Sequence, residues 1–167
     1  MAIGKDGLNI QTKDAKDHIY GYAIGCDLTR RDLQSEAKRL GRPWCCSKGF
    51  DFSAPCSAIV PKEETFLHTA TCDISKDSST HVSQSATIKL EVNNNIRQSS
   101  TLDKMTWTVP EIISYLSGYF KLRQGDLIMT GTPDGVSSID VHDKVTISCG
   151  DLPKCEFTIS KQEEDAC

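Results

Sequence analysis

An α+β fold dominated by strands is predicted by three observations: short alternating apolar runs recur along the chain, only two stretches carry helical spacing, and glycine- or asparagine-rich turns punctuate both. The 167 residues suffice for one domain with a real core, and 38% apolar with 25% charged residues is ordinary for a globular protein. One domain over 1–160 with a frayed tail at 161–167 is expected. A net charge of -4 leaves no basic footprint for nucleic acid. No apolar run approaches the roughly 18 residues of a membrane span. The first residues carry neither a secretory apolar core nor an arginine-rich, acid-poor transit segment. A cytoplasmic protein without membrane or nucleic-acid partners is expected, or a mitochondrial one if a longer precursor exists.

The elements follow in order. From Tyr20 to Leu28, the residues Tyr20, Tyr22, Ile24, Cys26 and Leu28 alternate with Gly21, Ala23, Gly25 and Asp27, the pattern of a strand with one crowded face and one face of small residues. Asp27 lies on the small face, where a ligand can approach closely. A helix follows: Thr29 is placed to cap it, Leu33, Ala37 and Leu40 recur at helical spacing, Asp32 and Glu36 suit its positive end, and Gly41 with Pro43 stops it. Arg31 and Gln34 then project from the first turn near the end of the Asp27 strand. Taken alone they read first as a solvated arginine and a capping amide.

A strand is expected around Ser57–Val60. Residues 65–86 are rich in Ser, Thr, Asp and His with little period and read as an exposed loop insertion. Ile88, Leu90 and Val92 resume alternation before Asn93-Asn94-Asn95, residues that tolerate positive φ, so a hairpin is predicted. Thr108-Val109-Pro110-Glu111 has the form of a capping box, with Ile112, Ile113, Leu116 and Phe120 continuing one helical face. Gly125-Asp126 reads as a turn, Leu127–Met129 as a short buried strand, and Thr130-Gly131-Thr132-Pro133 as a tight loop whose glycine admits a ligand to the backbone. Lys144–Ile147 and Glu156–Ile159 alternate as closing strands.

Eight cysteines contain no C-x-x-C pair, and the adjacent Cys45-Cys46 is a poor start for a disulfide framework. Free, mostly buried thiols are expected. The four histidines show no zinc spacing, and a metal role for His68, Cys72 and His81 fits no known site.

Three separated blocks carry a family resemblance: Asp27-x-Thr29-x-Arg31-Asp32-x-Gln34, then Gly41-x-Pro43-Trp44-x-x-x-Lys48-x-Phe50, then Gly125-Asp126-Leu127-Ile128-x-Thr130-Gly131-Thr132-Pro133-x-Gly135-Val136. In this order and spacing they resemble the catalytic domain of the fumarylacetoacetate hydrolase superfamily, closest to its acylpyruvase and oxaloacetate decarboxylase branch. The resemblance implies a rolled mixed β-sheet with two short helices, and a homodimer. It implies a magnesium or manganese ion with Asp27 as a ligand, Lys48 neutralising charge that develops beside the metal, Arg31 and Thr132 orienting the substrate, and Gln34 positioning its keto or carboxylate oxygen. The hairpin pattern of the family is matched by Arg97 and Gln98, which would fix the loop that follows. Two features of the family are not matched: a Glu-x-Glu pair that joins the aspartate at the metal, and a lid carrying a histidine and a glutamate. The metal site is therefore expected to be incomplete in this chain.

The expected activity is metal-dependent carbon–carbon bond cleavage in small β-dicarbonyl acids, acylpyruvates or oxaloacetate, which uses a Lewis acid to hold charge developing on a ketone oxygen. An isomerase of a ring-opened aromatic acid would use similar chemistry. The alternative from another class is a catalytically silent family member that binds a small acid or a partner chain. Lys48 on its own reads as a solvated lysine, and Thr132 as a turn threonine.

Overall fold

The computed structural model describes residues 1–72 and 86–161. The expected tail at 162–167, the larger part of the 65–86 insertion, and His81 lie outside them.

Two antiparallel sheets form the frame. The first joins β1 (Ala2–Ile3), β2 (Ile19–Tyr22) and β3 (Val60–Pro61) in that order. The second consists of β4 (Thr87–Val92), β5 (Asn95–Thr101), β6 (Lys144–Cys149) and β7 (Cys155–Thr158), in the spatial order β5-β4-β6-β7. Every strand pair among the described residues is antiparallel. The α+β class with strands in the majority is as the sequence predicts. Four α-helices are present among the described residues rather than two: α1 (Arg31–Arg39), α2 (Cys45–Lys48), α3 (Leu67–Cys72) and α4 (Val109–Ser117). The two unforeseen ones span four and six residues, too short to show a period.

The hairpin of β4 and β5 turns at Asn93 (φ 51°) and Asn94 (φ 64°), the left-handed pair that a tight hairpin requires. The capping box is complete: Thr108 Oγ1 accepts from the Glu111 amide at 3.4 Å, and Glu111 Oε2 accepts from the Thr108 amide at 2.7 Å. Helix α4 seats Ile113, fully buried, in a core with Ile3, Ile19, Leu67, Val145 and Ile147. It stops at Gly118, so Phe120 lies past its end and is 65% exposed rather than packed on the helical face.

The long strand expected over 20–28 pairs regularly only to Tyr22. Beyond it the chain stays beside 53–57 through separate bonds: Ser57 donates to the Ile24 carbonyl, Cys26 to that of Pro55, and Leu28 to that of Ser53. Pro55 has no N–H to return a bond, which breaks the ladder. The strand expected at Ser57–Val60 is accordingly short, and Tyr20, assigned to the crowded face, is exposed.

Thr29 does not cap α1. Arg30 holds the cap position without a side-chain bond, and Thr29 is used elsewhere. No residue of α1 is buried, so its apolar stripe of Leu33, Ala37 and Leu40 does not join the core. Leu127–Met129 is not a strand either: Leu127 makes one bridge to Ala2, and only Ile128 is buried.

The start of the expected insertion is an ordered part of the core. Thr65 Oγ1 donates to Asp151 Oδ1 at 2.6 Å and accepts from the Leu67 amide at 3.1 Å, which starts α3. The Tyr22 hydroxyl then meets His68 Nδ1 at 3.0 Å and Cys72 Sγ at 3.5 Å, fastening α3 to β2. A buried hydroxyl with polar partners, not apolar period, places this helix, which explains why the sequence pattern concealed it.

Candidate active site

The irregular course after β2 leaves Asp27 at the mouth of a cleft of about 600 Å³ between the two sheets' loops. Asp27, Thr29, Arg31 and Lys48 line it from one side, Arg97, Gln98 and Thr132 from the other. Residues far apart in sequence thus face one volume.

Lys48 arrives there because α2 docks on the start of α1. The Arg30 amide donates to the Ser47 carbonyl at 3.0 Å, Ser47 is buried, and the Arg30 guanidinium lies 4.4 Å from the centre of the Phe50 ring. With α2 held, Lys48 Nζ donates to Asp27 Oδ2 at 2.6 Å and to Thr29 Oγ1 at 2.9 Å. The ion pair is open to water, with 34% of the Lys48 side chain and 45% of the Asp27 side chain exposed. Such a pair adds about 0–1 kcal/mol to stability. Its position is therefore dispensable for folding.

Arg31 faces the cleft, and its guanidinium donates to Gln34 Oε1 at 2.7 Å. Gln34 itself does not line the cleft. In this structure its carbonyl oxygen accepts from Arg31 one helical turn away.

Across the cleft, Thr132 sits in a loop with left-handed glycines, Gly131 (φ 108°) and Gly135 (φ 98°). A side chain at Gly135 would collide with the Arg97 carbonyl, so this glycine lets the loop lie directly on β5. The buried Gln98 completes the attachment: its Nε2 donates to Thr132 Oγ1 at 2.9 Å and to the Pro133 carbonyl at 2.6 Å.

The structure brings Asp27, Arg31, Lys48 and Thr132 to one cleft and keeps Gln34 behind Arg31. Sequence reasoning missed Thr29 as a partner of Lys48, because a threonine ahead of a helix is read first as a cap. It expected Gln98 to fix the loop directly after it, whereas Gln98 holds the distant Thr132–Pro133 segment.

Asp27 is a lone carboxylate. Among the described residues no three His, Cys, Asp or Glu side chains gather to hold a metal. The described donors therefore do not fit a divalent cation by themselves, since magnesium takes one or two carboxylates with substrate oxygens and water completing its shell.

Behind Asp27, burial and the neighbouring carboxylate push the Cys26 thiol up to about 11, and burial does the same for Cys149. All cysteines among the described residues are free, but Cys45, Cys46 and Cys56 are exposed rather than buried. A thiol reagent at neutral pH is expected to label these three and spare Cys26 and Cys149 until the protein is denatured; equal labelling of Cys149 in the native state would contradict the burial argument. The sign of the pH effect follows from the raised values. The folded thiols stay protonated where unfolded ones ionise near 8.5, so their contribution to stability is intact below about pH 8.5. It is lost as pH climbs toward 11, and urea midpoints are expected to fall over that range less steeply in Cys149→Ala.

Comparison with known proteins decides the family. The family model described as fumarylacetoacetate (FAA) hydrolase C-terminal matches residues 1–163. The chain belongs to this family. The fumarylpyruvate hydrolase of a Ralstonia species is 39% identical over 163 residues, which are 98% of this chain and 77% of that protein. The mitochondrial oxaloacetate tautomerase of Mus musculus is 36% identical over 98% of this chain and 67% of its own length. Among solved structures, the fumarylpyruvate hydrolase of Pseudomonas aeruginosa in complex with Mn2+ and pyruvate superposes with a TM-score of 0.82 at 36% identity, covering 96% of this chain and 63% of that one. The chain thus spans about two thirds of the solved relative. As a fumarylacetoacetate hydrolase family member it is an enzyme by resemblance. No helix among the described residues is long and apolar enough to cross a membrane.

Proposed function

We propose that this chain forms the substrate-binding part of a divalent-metal site and takes part in carbon–carbon bond cleavage of acylpyruvates or oxaloacetate. The observation that supports this reading is the meeting of Asp27, Lys48, Arg31 and Thr132 at one cleft. One carboxylate, two cations and a hydroxyl suit a small dianionic keto acid.

In this reading Asp27 would be one ligand of a magnesium or manganese ion whose other ligands come from outside the described residues, and the ion would supply Lewis acidity at the ketone oxygen. Arg31, steadied by Gln34, pairs with a carboxylate, and Thr132 hydrogen-bonds the same end of the substrate. Lys48, held beside Asp27, would offset the charge that builds on the ketone oxygen as the bond to C3 breaks. In hydrolysis the elements of water add to the acyl carbon, the bonding electrons pass to C3 of the departing pyruvate enolate, and a proton returns there. In decarboxylation the same electrons come from the bond to carbon dioxide. Both leave an enolate beside Lys48.

The tautomerase name carried by the mouse relative favours a second reading of the same groups, in which the enol and keto forms of oxaloacetate exchange a proton at C3 without bond cleavage. A binding role without catalysis is the reading favoured by the lone carboxylate. We also read the protein as a homodimer in the cytoplasm.

The test is an assay of the native protein, with its mass and N-terminal residues verified, in magnesium or manganese. Pyruvate release from acetylpyruvate or fumarylpyruvate, carbon dioxide from oxaloacetate, and decay of the oxaloacetate enol absorbance separate the three reactions. Cleavage activity abolished by chelation and restored by metal supports the proposal. Enol decay alone selects the tautomerase, and pyruvate binding without any turnover selects the binding role.

A further inference from the structure

The geometry points to Gln98 as the positioning residue that makes the Thr132 end of the cleft a receptor for a carboxylate. The inference rests on the reading of the cleft as a 2-keto acid site and assigns the origin of its selectivity.

Gln98 projects from β5, is 9% exposed, and lies against two oxygens, the Pro133 carbonyl at 2.6 Å and Thr132 Oγ1 at 2.9 Å. A peptide carbonyl can only accept, so chemistry alone requires the amide end facing Pro133 to be NH2. That NH2 has a second hydrogen, and it is given to Thr132. A hydroxyl has one hydrogen and two lone pairs. With Gln98 donating into one lone pair, the hydrogen of Thr132 points away from Gln98, and among the described residues it meets no acceptor. Thr132 lines this cleft and also a neighbouring cavity beside Trp107 and Tyr115; we place that hydrogen in the cleft it shares with Arg31.

Arg31, on the same cleft, can only donate. An entering group therefore meets donors at both residues. A carboxylate brings two accepting oxygens and a negative charge to these donors; a carboxamide brings one accepting oxygen and no charge, so it serves them less well. Gln98 is one of two supports of the loop, since Gly135 also packs directly on the Arg97 carbonyl. Substitution at 98 is therefore tested for its effect on the Thr132 hydrogen with Thr132→Val as the control for loss of loop support.

Calorimetric titration of pyruvate, and of neutral pyruvamide, into the intact protein with manganese present tests this. Gln98→Glu places an acceptor beside Thr132 and turns its hydrogen out of the cleft. Pyruvate affinity is expected to fall roughly ten- to hundredfold, with the preference over pyruvamide falling in step. Gln98→Met, which removes the donor without reversing it, is expected to lose less, and it serves if the glutamate variant does not fold. In a Thr132→Val background either change should cost little more, since the hydroxyl it acts through is gone. Full additivity with Thr132→Val, or unchanged pyruvate affinity in Gln98→Glu and Gln98→Met, overturns the inference while leaving the keto acid site standing. A wild-type protein that binds no pyruvate overturns both.

Discussion

Asp27→Ala is expected to remove metal-dependent turnover, by about a thousandfold or more in kcat/KM, while the protein melts within a few degrees of the wild type. The two halves of that expectation have separate causes. Asp27 is the one carboxylate among the residues lining the described cleft, so no neighbour replaces it as a ligand. Its partner Lys48 is a solvent-exposed one, and losing an exposed pair changes stability by no more than about 1 kcal/mol. Steady-state assays beside thermal denaturation check both halves, and turnover that survives in a folded variant would sink the assignment of Asp27. Asp27→Asn separates shape from charge: it keeps the hydrogen-bonding outline facing Lys48 but should bind the cation far more weakly.

Lys48→Met should act in the opposite sense on metal and on catalysis. In the structure Lys48 holds Asp27 Oδ2 at 2.6 Å, so the ammonium competes with a cation for that carboxylate. Removing it is expected to tighten manganese binding several-fold in a calorimetric titration. Turnover should nonetheless fall about 10²- to 10³-fold, mainly in kcat, because a charge-stabilising donor of this kind is used in the transition state. A variant that loses metal and activity together would show that Lys48 only supports the architecture. Arginine at 48 should restore little, since its planar fork cannot reach both the Asp27 carboxylate and the Thr29 hydroxyl as a point charge does.

These groups were legible in the sequence to different degrees. Asp27, Arg31, Lys48 and Thr132 stand in three short motifs, and the fold does bring them to one cleft. The turn at Asn93-Asn94 and the Thr108 capping box were legible because each depends on local stereochemistry, which neighbouring residues specify. Helix α3 was not, because Tyr22 and Asp151, distant in sequence, supply its partners. The supposed long strand from Tyr20 to Leu28 failed at Pro55, a residue on the opposite chain segment that no inspection of 20–28 could weigh. Gln34 stands beside Arg31 rather than on the cleft wall, because helical spacing fixes which residues share a turn, not which of them the turn presents to the cleft.

Gly135 has a consequence for altering the substrate range. Its position against the Arg97 carbonyl leaves no room for any side chain, so this part of the cleft wall is fixed by main chain and cannot be reshaped by substitution. Room for a bulkier acyl group must come from wall residues with side chains to trim, such as Met129, Val136 and Ile139, all of which line the same cleft. A directed library that spares 135 and varies those three would explore acyl size without disturbing the anchor of the Thr132 loop.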